Sequence, residues 1–236
     1  MMNTQPAGVD DQTAVVLLAN IVAPSRLWGW SRIVLGAQGL KGTPGLLFAK
    51  VLGSGYEGGF GLRPSPSRQG VFALFDTLGA AQDFIHHSKL AEKYQHRSDE
   101  FCSATLKAWS CRGSWDGVRL QVHTQPPLLG PVAALTRASI KFTKAPAFWT
   151  HAPASQTALE RVAGCQMAVG LGEAPFFRQA TFSIWDGVQE MNAYARTGSH
   201  LQAIQAAHQH GYFSESMFAR FVPLKVQGQW MGKHYA

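Results

Sequence analysis

The chain has 236 residues, 46% hydrophobic and only 15% charged, enough for one large domain or two small ones with a real core. Its formal charge of +7 reflects scarce acids rather than abundant bases, and the Lys and Arg residues are spread thinly, which argues against nucleic acid as a partner. Three scattered cysteines with no C-x-x-C pair argue against a disulfide framework, a zinc site or covalent c-type haem, and suit reduced thiols in a cytoplasmic protein.

Residues 1–12 have neither the basic start nor the apolar centre of a signal peptide and read as a disordered arm. No apolar run is long enough to span a bilayer. A first unit, 13–112, is expected to place strands near Val15–Val22, Gly45–Leu52, Gly70–Phe75 and Cys102–Trp109, with helices near Pro24–Gly36 and Ala80–Arg97. Residues 113–130, rich in turn formers and containing Gln125-Pro-Pro-Leu128, read as a linker. A second unit, 131–228, repeats the order, with strands near Val132–Ile140, Cys165–Gly172, Ala180–Trp185 and Met217–Leu224. Its helices are expected near Ala145–Arg161 and Val188–His210.

The repetition extends to individual residues. Gly45-Leu-Leu-Phe-Ala-Lys-Val-Leu-Gly53 aligns with Gly164-Cys-Gln-Met-Ala-Val-Gly-Leu-Gly172, and Gln69–Asp76 aligns with Gln179–Asp186. Phe84 and Tyr194 follow the two aspartates at the same offset, and Asp76 and Asp186 suit helix N-caps. Each unit reads as βαββαβ, a ferredoxin-like layer. Two such repeats packed sheet to sheet make an α+β fold, an α/β barrel, in which strands such as Val71–Phe75 are apolar on both faces.

The copies differ in two places. The first carries an insertion, Gly55–Arg68, whose glycines lack the Lys-Ser/Thr and helix start of a phosphate loop, so it reads as a rim or lid loop. The second carries His200 where the first has Lys89, on a helical stripe with Ala203, Ile204 and Ala207. Small residues there leave room for a flat ligand, and a neutral imidazole can bind a metal, haem iron included. Taken from residues alone, a surface or satisfied core histidine is the commoner reading, and it suits His86, His87, His96, His208 and His210.

The ordered set Gly130–Ile140, Gln179–Trp185, Ala195-Arg-Thr-Gly-Ser-His200 and Met217–Phe221, with Thr43-Pro-Gly45 and Leu52-Gly-Ser-Gly55, resembles the spheroidene monooxygenase family from about Leu27 to Leu224. The resemblance implies a haem b oxygenase that hydroxylates and then ketonises an acyclic carotenoid with O2, fed by an electron-transfer protein such as reduced ferredoxin. It also implies a barrel akin to chlorite dismutases and aldoxime dehydratases, with His200 as the iron ligand. The chemistry is consistent, because O2 activation needs a cofactor. The sequence has no G-x-G-x-x-G opening a helix and no compact two-His-one-carboxylate set. A haem carrier or sensor, or a dehydratase or peroxide-using enzyme on the same scaffold, stays open.

Alternation puts Arg137 with Ala133 and Leu135, and Arg220 with Phe218 and Val222. A strand arginine among apolar neighbours needs a partner. Haem propionates or the reacting oxygen give both arginines a catalytic role, while a structural ion pair to Glu173, Asp186 or Glu190 is the alternative. Arg196, beside the proposed ligand, is a propionate candidate, and Ser183 with Thr181 offers hydroxyls to a pocket or simply fills the barrel. The clusters Trp28-Gly-Trp30, Phe148-Trp149 and Phe176-Phe177 suit either packing or a polyene channel. A carotenoid substrate would place the protein at the inner membrane face, where positive charge favours anionic lipid.

Overall fold

The computed structural model describes residues 12–59, 61, 63–122, 124–149, 159, 162–174, 177–196 and 209–236. Its strands are β1 (Thr13–Ile21), β2 (Leu46–Gly55), β3 (Pro64–Phe75), β4 (Ser98–Gly113), β5 (Val132–Ile140), β6 (Cys165–Ala174), β7 (Arg178–Trp185), β8 (Phe213–Trp230) and β9 (Lys233–Tyr235). The labelled helices are α1 (Arg26–Leu35), α2 (Leu78–His87), α3 (Lys89–His96) and α4 (Val188–Ala195), and residues 145–149 are also helical.

The strands pair antiparallel in the order β4-β1-β3-β2-β6-β7-β5-β8-β9, and β8 also pairs with β4. The result is an α+β protein built on a closed eight-stranded barrel, with β9 as a hairpin on β8. The two seams differ. β4 and β8 pair from Cys102↔Gly228 to Gly113↔Met217, whereas β2 and β6 pair only at Gly53↔Gly172 and Ser54↔Leu171.

Double-sided burial explains the sequence of β1, T-A-V-V-L-L-A-N-I. Ala14, Val16 and Leu18 point into the barrel, while Val15, Leu17, Ala19 and Ile21 pack beneath the helices. β3 behaves as expected, with Phe72 and Leu74 inside and Val71, Ala73 and Phe75 outside. Each such side chain contributes about 1.5–3 kcal/mol through burial.

Corresponding local geometry recurs in the two halves. β2 enters its pairing with β3 through a bulge between Leu46 and Phe48, and β6 pairs with β7 through a bulge between Cys165 and Met167. Asp76 N donates to Gly45 O at 2.9 Å, and Asp186 N donates to Gly164 O at 2.8 Å. Both glycines adopt positive φ, +69° and +84°. The Phe75 and Phe84 rings lie 5.2 Å apart, and those of Trp185 and Tyr194 lie 5.4 Å apart.

Several boundaries differ from expectation, each for a local reason. Asp76 does not cap α2; its backbone is held by Gly45, and Thr77, one residue later, accepts from Ala80 N. Likewise Gly187, not Asp186, precedes α4, with no side-chain cap. The expected helix Ala80–Arg97 is broken at Ser88, whose extended backbone ends α2 and whose hydroxyl caps α3 through Ala91 N. The insertion forms one 3-10 turn, Tyr56–Gly58, and then supplies the start of β3, with Tyr56 N bound to Arg63 O.

The expected linker and the end of β8 both contribute to the core. In the expected linker, Trp115 and Leu120 enter the barrel core, and Trp115 stacks on Phe72 at 5.3 Å. β8 runs past Leu224 to Trp230, which is 1% exposed in the same core. At Gly228, φ is +105° and an added Cβ would collide with Phe101 O of β4, so glycine keeps the strand paired there rather than ending it.

Candidate functional site

The helix-facing surface of the second half is built by four strands in register. Ala133, Leu135, Phe182, Met217, Ala219 and Phe221 fill the barrel, so the residues alternating with them face outward. One outward row runs Ala168–Ser183–Ala134–Arg220–Ser110, and the next runs Gly170–Thr181–Thr136–Phe218. The equivalent rows of the first half are Ala49–Ala73–Val15–Thr105 and Val51–Val71–Leu17–Ser103. Where the first half carries Val15, Val51, Val71 and Leu17, all at most 6% exposed, the second has Ala134, Gly170, Thr181 and Thr136. Side chains are smaller at Ala134, Thr136 and Gly170 than at their first-half counterparts, Thr181 is near-isosteric with Val71, and Phe218 stands where the first half has Ser103.

Charge also distinguishes this face. Arg220 stands on this face with its guanidinium 5.4 Å from the Trp109 ring. A bulge between Ala108 and Ser110 turns Trp109 outward into the cluster of Val132, Leu159, Trp185 and Met191. Burial lowers the Arg220 pKa, and so do the neighbouring cations Arg112 and Arg196. Among the described residues no carboxylate pairs with any of the three. Such a cluster is stabilised by an anion with more than one charge. Trp109 Nε1 is buried without a partner among the described residues. Ser183 Oγ accepts from Trp185 Nε1 at 2.9 Å, which leaves the serine's own proton to donate elsewhere.

The pseudo-symmetric place in the first half lacks this character. A cavity of about 310 Å3 between α2 and the β4–β8 seam is lined by Gln82, His86, Ser103, Thr105, Lys225 and Gln227 among others. There Thr105, His86 and Gln227 stand where the second half has Arg220, Arg196 and Arg112. The arginine cluster therefore occurs at one of the two equivalent places only, with Arg112 contributed across the seam by β4 of the first half.

Arg137 lies on the other side of the sheet. It is 1% exposed inside the barrel, 5.6 Å from the Trp115 ring, and pairs with Glu215, with Asp116 at 3.4 Å and with Glu173 at 3.5 Å. Lys50 joins Asp116 and Glu173, and Trp115 Nε1 donates to Glu173 at 2.7 Å. Burial alone would raise the Glu215 pKa. Hydrogen bonds from Gly117 N, Ser114 Oγ, Asp116 N and Arg137 outweigh it and hold the carboxyl at about 2. Of the ion-pair partners expected for Arg137, Glu173 is present; Asp186 instead accepts from Gln166, and Asp116 and Glu215 take the remaining places.

The structure thus brings Ser183, Arg196 and Arg220 together and sets Arg137 apart. His200 lies outside the described residues. Arg112 and Trp109 were missed by the sequence reading, because their approach to Arg220 depends on the β4–β8 register. Among the described residues no group of three His, Cys, Asp or Glu side chains could hold a metal ion. Cys102, Cys111 and Cys165 are unpaired, and burial pushes the Cys102 thiol up to about 12 and Cys165 to about 11.

No protein-family model matches the chain. It is 55% identical over 221 residues, 94% of its length and 86% of the relative's, to a spheroidene monooxygenase of Rubrivivax gelatinosus. To that of Rhodobacter capsulatus it is 37% identical over 210 residues, 87% of each chain. Among solved structures, an aldoxime dehydratase superposes with a TM-score of 0.57 at 8% identity, over 90% of this chain and 81% of that one. A second, crystallised with butyraldoxime, gives 0.55 over 92% and 82%, also at 8% identity. These two likenesses are of fold alone.

Proposed function

Since the chain belongs to the spheroidene monooxygenase family, we propose that it is a monooxygenase acting on an acyclic carotenoid, with haem b seated on the outer face of its second half. Haem iron supplies the O2 activation that no side chain provides. The single observation that carries the reading is the coincidence of the small residues Ala134 and Gly170 with the Arg112, Arg196 and Arg220 cluster. A flat dianionic macrocycle needs both a face with small side chains and cations at its edge.

In this reading Arg220, Arg196 and Arg112 hold the propionates, and Ala134, Gly170 and Thr136 admit the ring plane. His200 would supply a nitrogen ligand to the iron. Ser183, its oxygen already engaged by Trp185, directs its proton into the pocket. Trp109 and Trp185 keep water from the sheet side. Arg137, held by three carboxylates inside the barrel, is assigned to closing the barrel end rather than to the reaction. Electrons come from a separate electron-transfer protein such as reduced ferredoxin.

The repeated strand order also supports reading 13–112 and 131–228 as two ferredoxin-like units, with 113–130 between them as connection and barrel plug. The testing experiment supplies purified haem-loaded protein with reduced ferredoxin, isotopically labelled O2 and spheroidene. The expected result is label in a hydroxylated or keto product; haem binding with no labelled product would replace the enzyme by a carrier or sensor.

A further inference from the structure

Helix α1 presents an apolar stripe to solvent. Leu27 is 87% exposed and Val34 85%, with Trp30 at 41% and Leu35 at 44%. Their spacing puts them along one side of the helix. The other side is firmly seated: Gly29 lies against Ile21 and Gln69, and the Trp28 ring packs edge-on to Tyr94 at 5.0 Å. The stripe continues into an open cleft of about 410 Å3 bordered by Leu35, Leu40, Leu46, Leu47 and Phe48.

The sequence around it is basic. Between Asp11 and Glu57 it contains no acidic residue, Arg26 adjoins the stripe in sequence, and Lys41 lines the cleft. Exposed contiguous apolar surface rimmed by cations is the signature of an interfacial helix. A second copy of the chain fits less well, because a two-fold contact would set a surface carrying Arg26 and Lys41 against its own copy.

We propose that α1 and the adjoining cleft dock the protein on an anionic lipid bilayer, with Leu27, Trp30 and Val34 entering the acyl boundary and Arg26 and Lys41 meeting headgroups. The surface stands by itself; only its use for collecting a carotenoid rests on the proposed function.

Vesicle flotation tests it, using full-length protein with carotenoid-free vesicles of phosphatidylcholine, with and without phosphatidylglycerol. Wild-type protein is expected to float with the anionic vesicles and to do so less at high salt. Leu27→Ser/Val34→Ser should lower partitioning at least tenfold, and Arg26→Glu/Lys41→Glu should abolish the preference for phosphatidylglycerol. Leu128→Ser/Leu129→Ser, a pair of equally exposed leucines, should float like wild type, and all variants should keep the wild-type melting temperature. The proposal is overturned if wild type stays unbound, if the Leu27/Val34 pair floats normally, or if both leucine pairs lose binding alike. Gel filtration showing a wild-type dimer split by Leu27→Ser/Val34→Ser, without flotation, would reassign the stripe to a subunit contact. Flotation without oxygenase activity would support the docking surface and remove only the carotenoid reading.

Discussion

The two halves of the barrel share strand order, paired bulges and the turns at Gly45 and Gly164, yet their helix-facing surfaces carry different side chains. In the first half Val15, Leu17, Val51 and Val71 bury themselves beneath α2, α3 and α1, with Phe84 and Tyr94 closing the layer. In the second, the same backbone positions carry Ala134, Thr136, Gly170 and Thr181, and an arginine stands where the first half has Thr105. One face is packed for stability; the other forgoes several kcal/mol of apolar burial and gathers three cations. A duplicated fold shows its site where the copies disagree, and here the disagreement is in volume and charge together.

The largest effect is expected from erasing the difference. Ala134→Val/Thr136→Leu/Gly170→Val restores first-half residues to the second face. Overfilling a site shaped for a ligand costs about 1–3 kcal/mol per position, so haem affinity should fall on the order of a thousandfold. The apparent melting temperature should hold or rise, and a haem titration beside thermal denaturation checks both.

Arg137→Met probes the interior instead. It leaves Glu215 without its cation while Lys50 still pairs with Asp116 and Glu173, and loss of about 1.5–3 kcal/mol of stability is expected by denaturant unfolding. The visible spectrum of the folded, haem-loaded fraction should not move; a shifted spectrum would return Arg137 to the cofactor.

Arg220→Gln keeps size and polarity on the outer face while removing one charge. A charge-assisted contact of this kind contributes about 1.5–3 kcal/mol, so haem binding should weaken by about ten- to a hundredfold with no change in unfolding free energy.

The smallest effect concerns pH. Glu215 is held at about 2, below the ordinary 4.5, so its contribution to stability is complete above pH 4.5 and is lost as pH falls towards 2. Glu215→Gln should flatten the stability profile across that window, as followed by acid titration of tryptophan fluorescence.

Much of the fold was legible because the burial pattern of a barrel with helices outside is strict. β5 was placed residue for residue at Val132–Ile140, and the alignment of Gly45 with Gly164 holds down to the hydrogen bond each accepts. What escaped depended on distant partners. Trp115 sits among Asp, Gly and Ser in a turn-rich stretch, and only the barrel interior explains its burial. Gly228 looks like a strand end until the Phe101 carbonyl is seen against it. Ser183, Arg196 and Arg220 could be proposed singly, but Trp109 and Arg112 join them only through the register of β4 on β8. Arg137 and Arg220 looked alike in sequence because alternation fixes that a side chain faces one side of a sheet, not which side holds the ligand.

The most direct measurement is the absorption spectrum on haem titration of the wild-type protein beside Ala134→Val/Thr136→Leu/Gly170→Val and His200→Ala. A saturable Soret band in wild type is predicted, lost in the face-filled variant while its fold is intact, and lost or shifted in His200→Ala. A face-filled variant that binds haem as wild type does, or a wild type that develops no Soret band with excess haem, would contradict the assignment of the second half's outer face as the cofactor site.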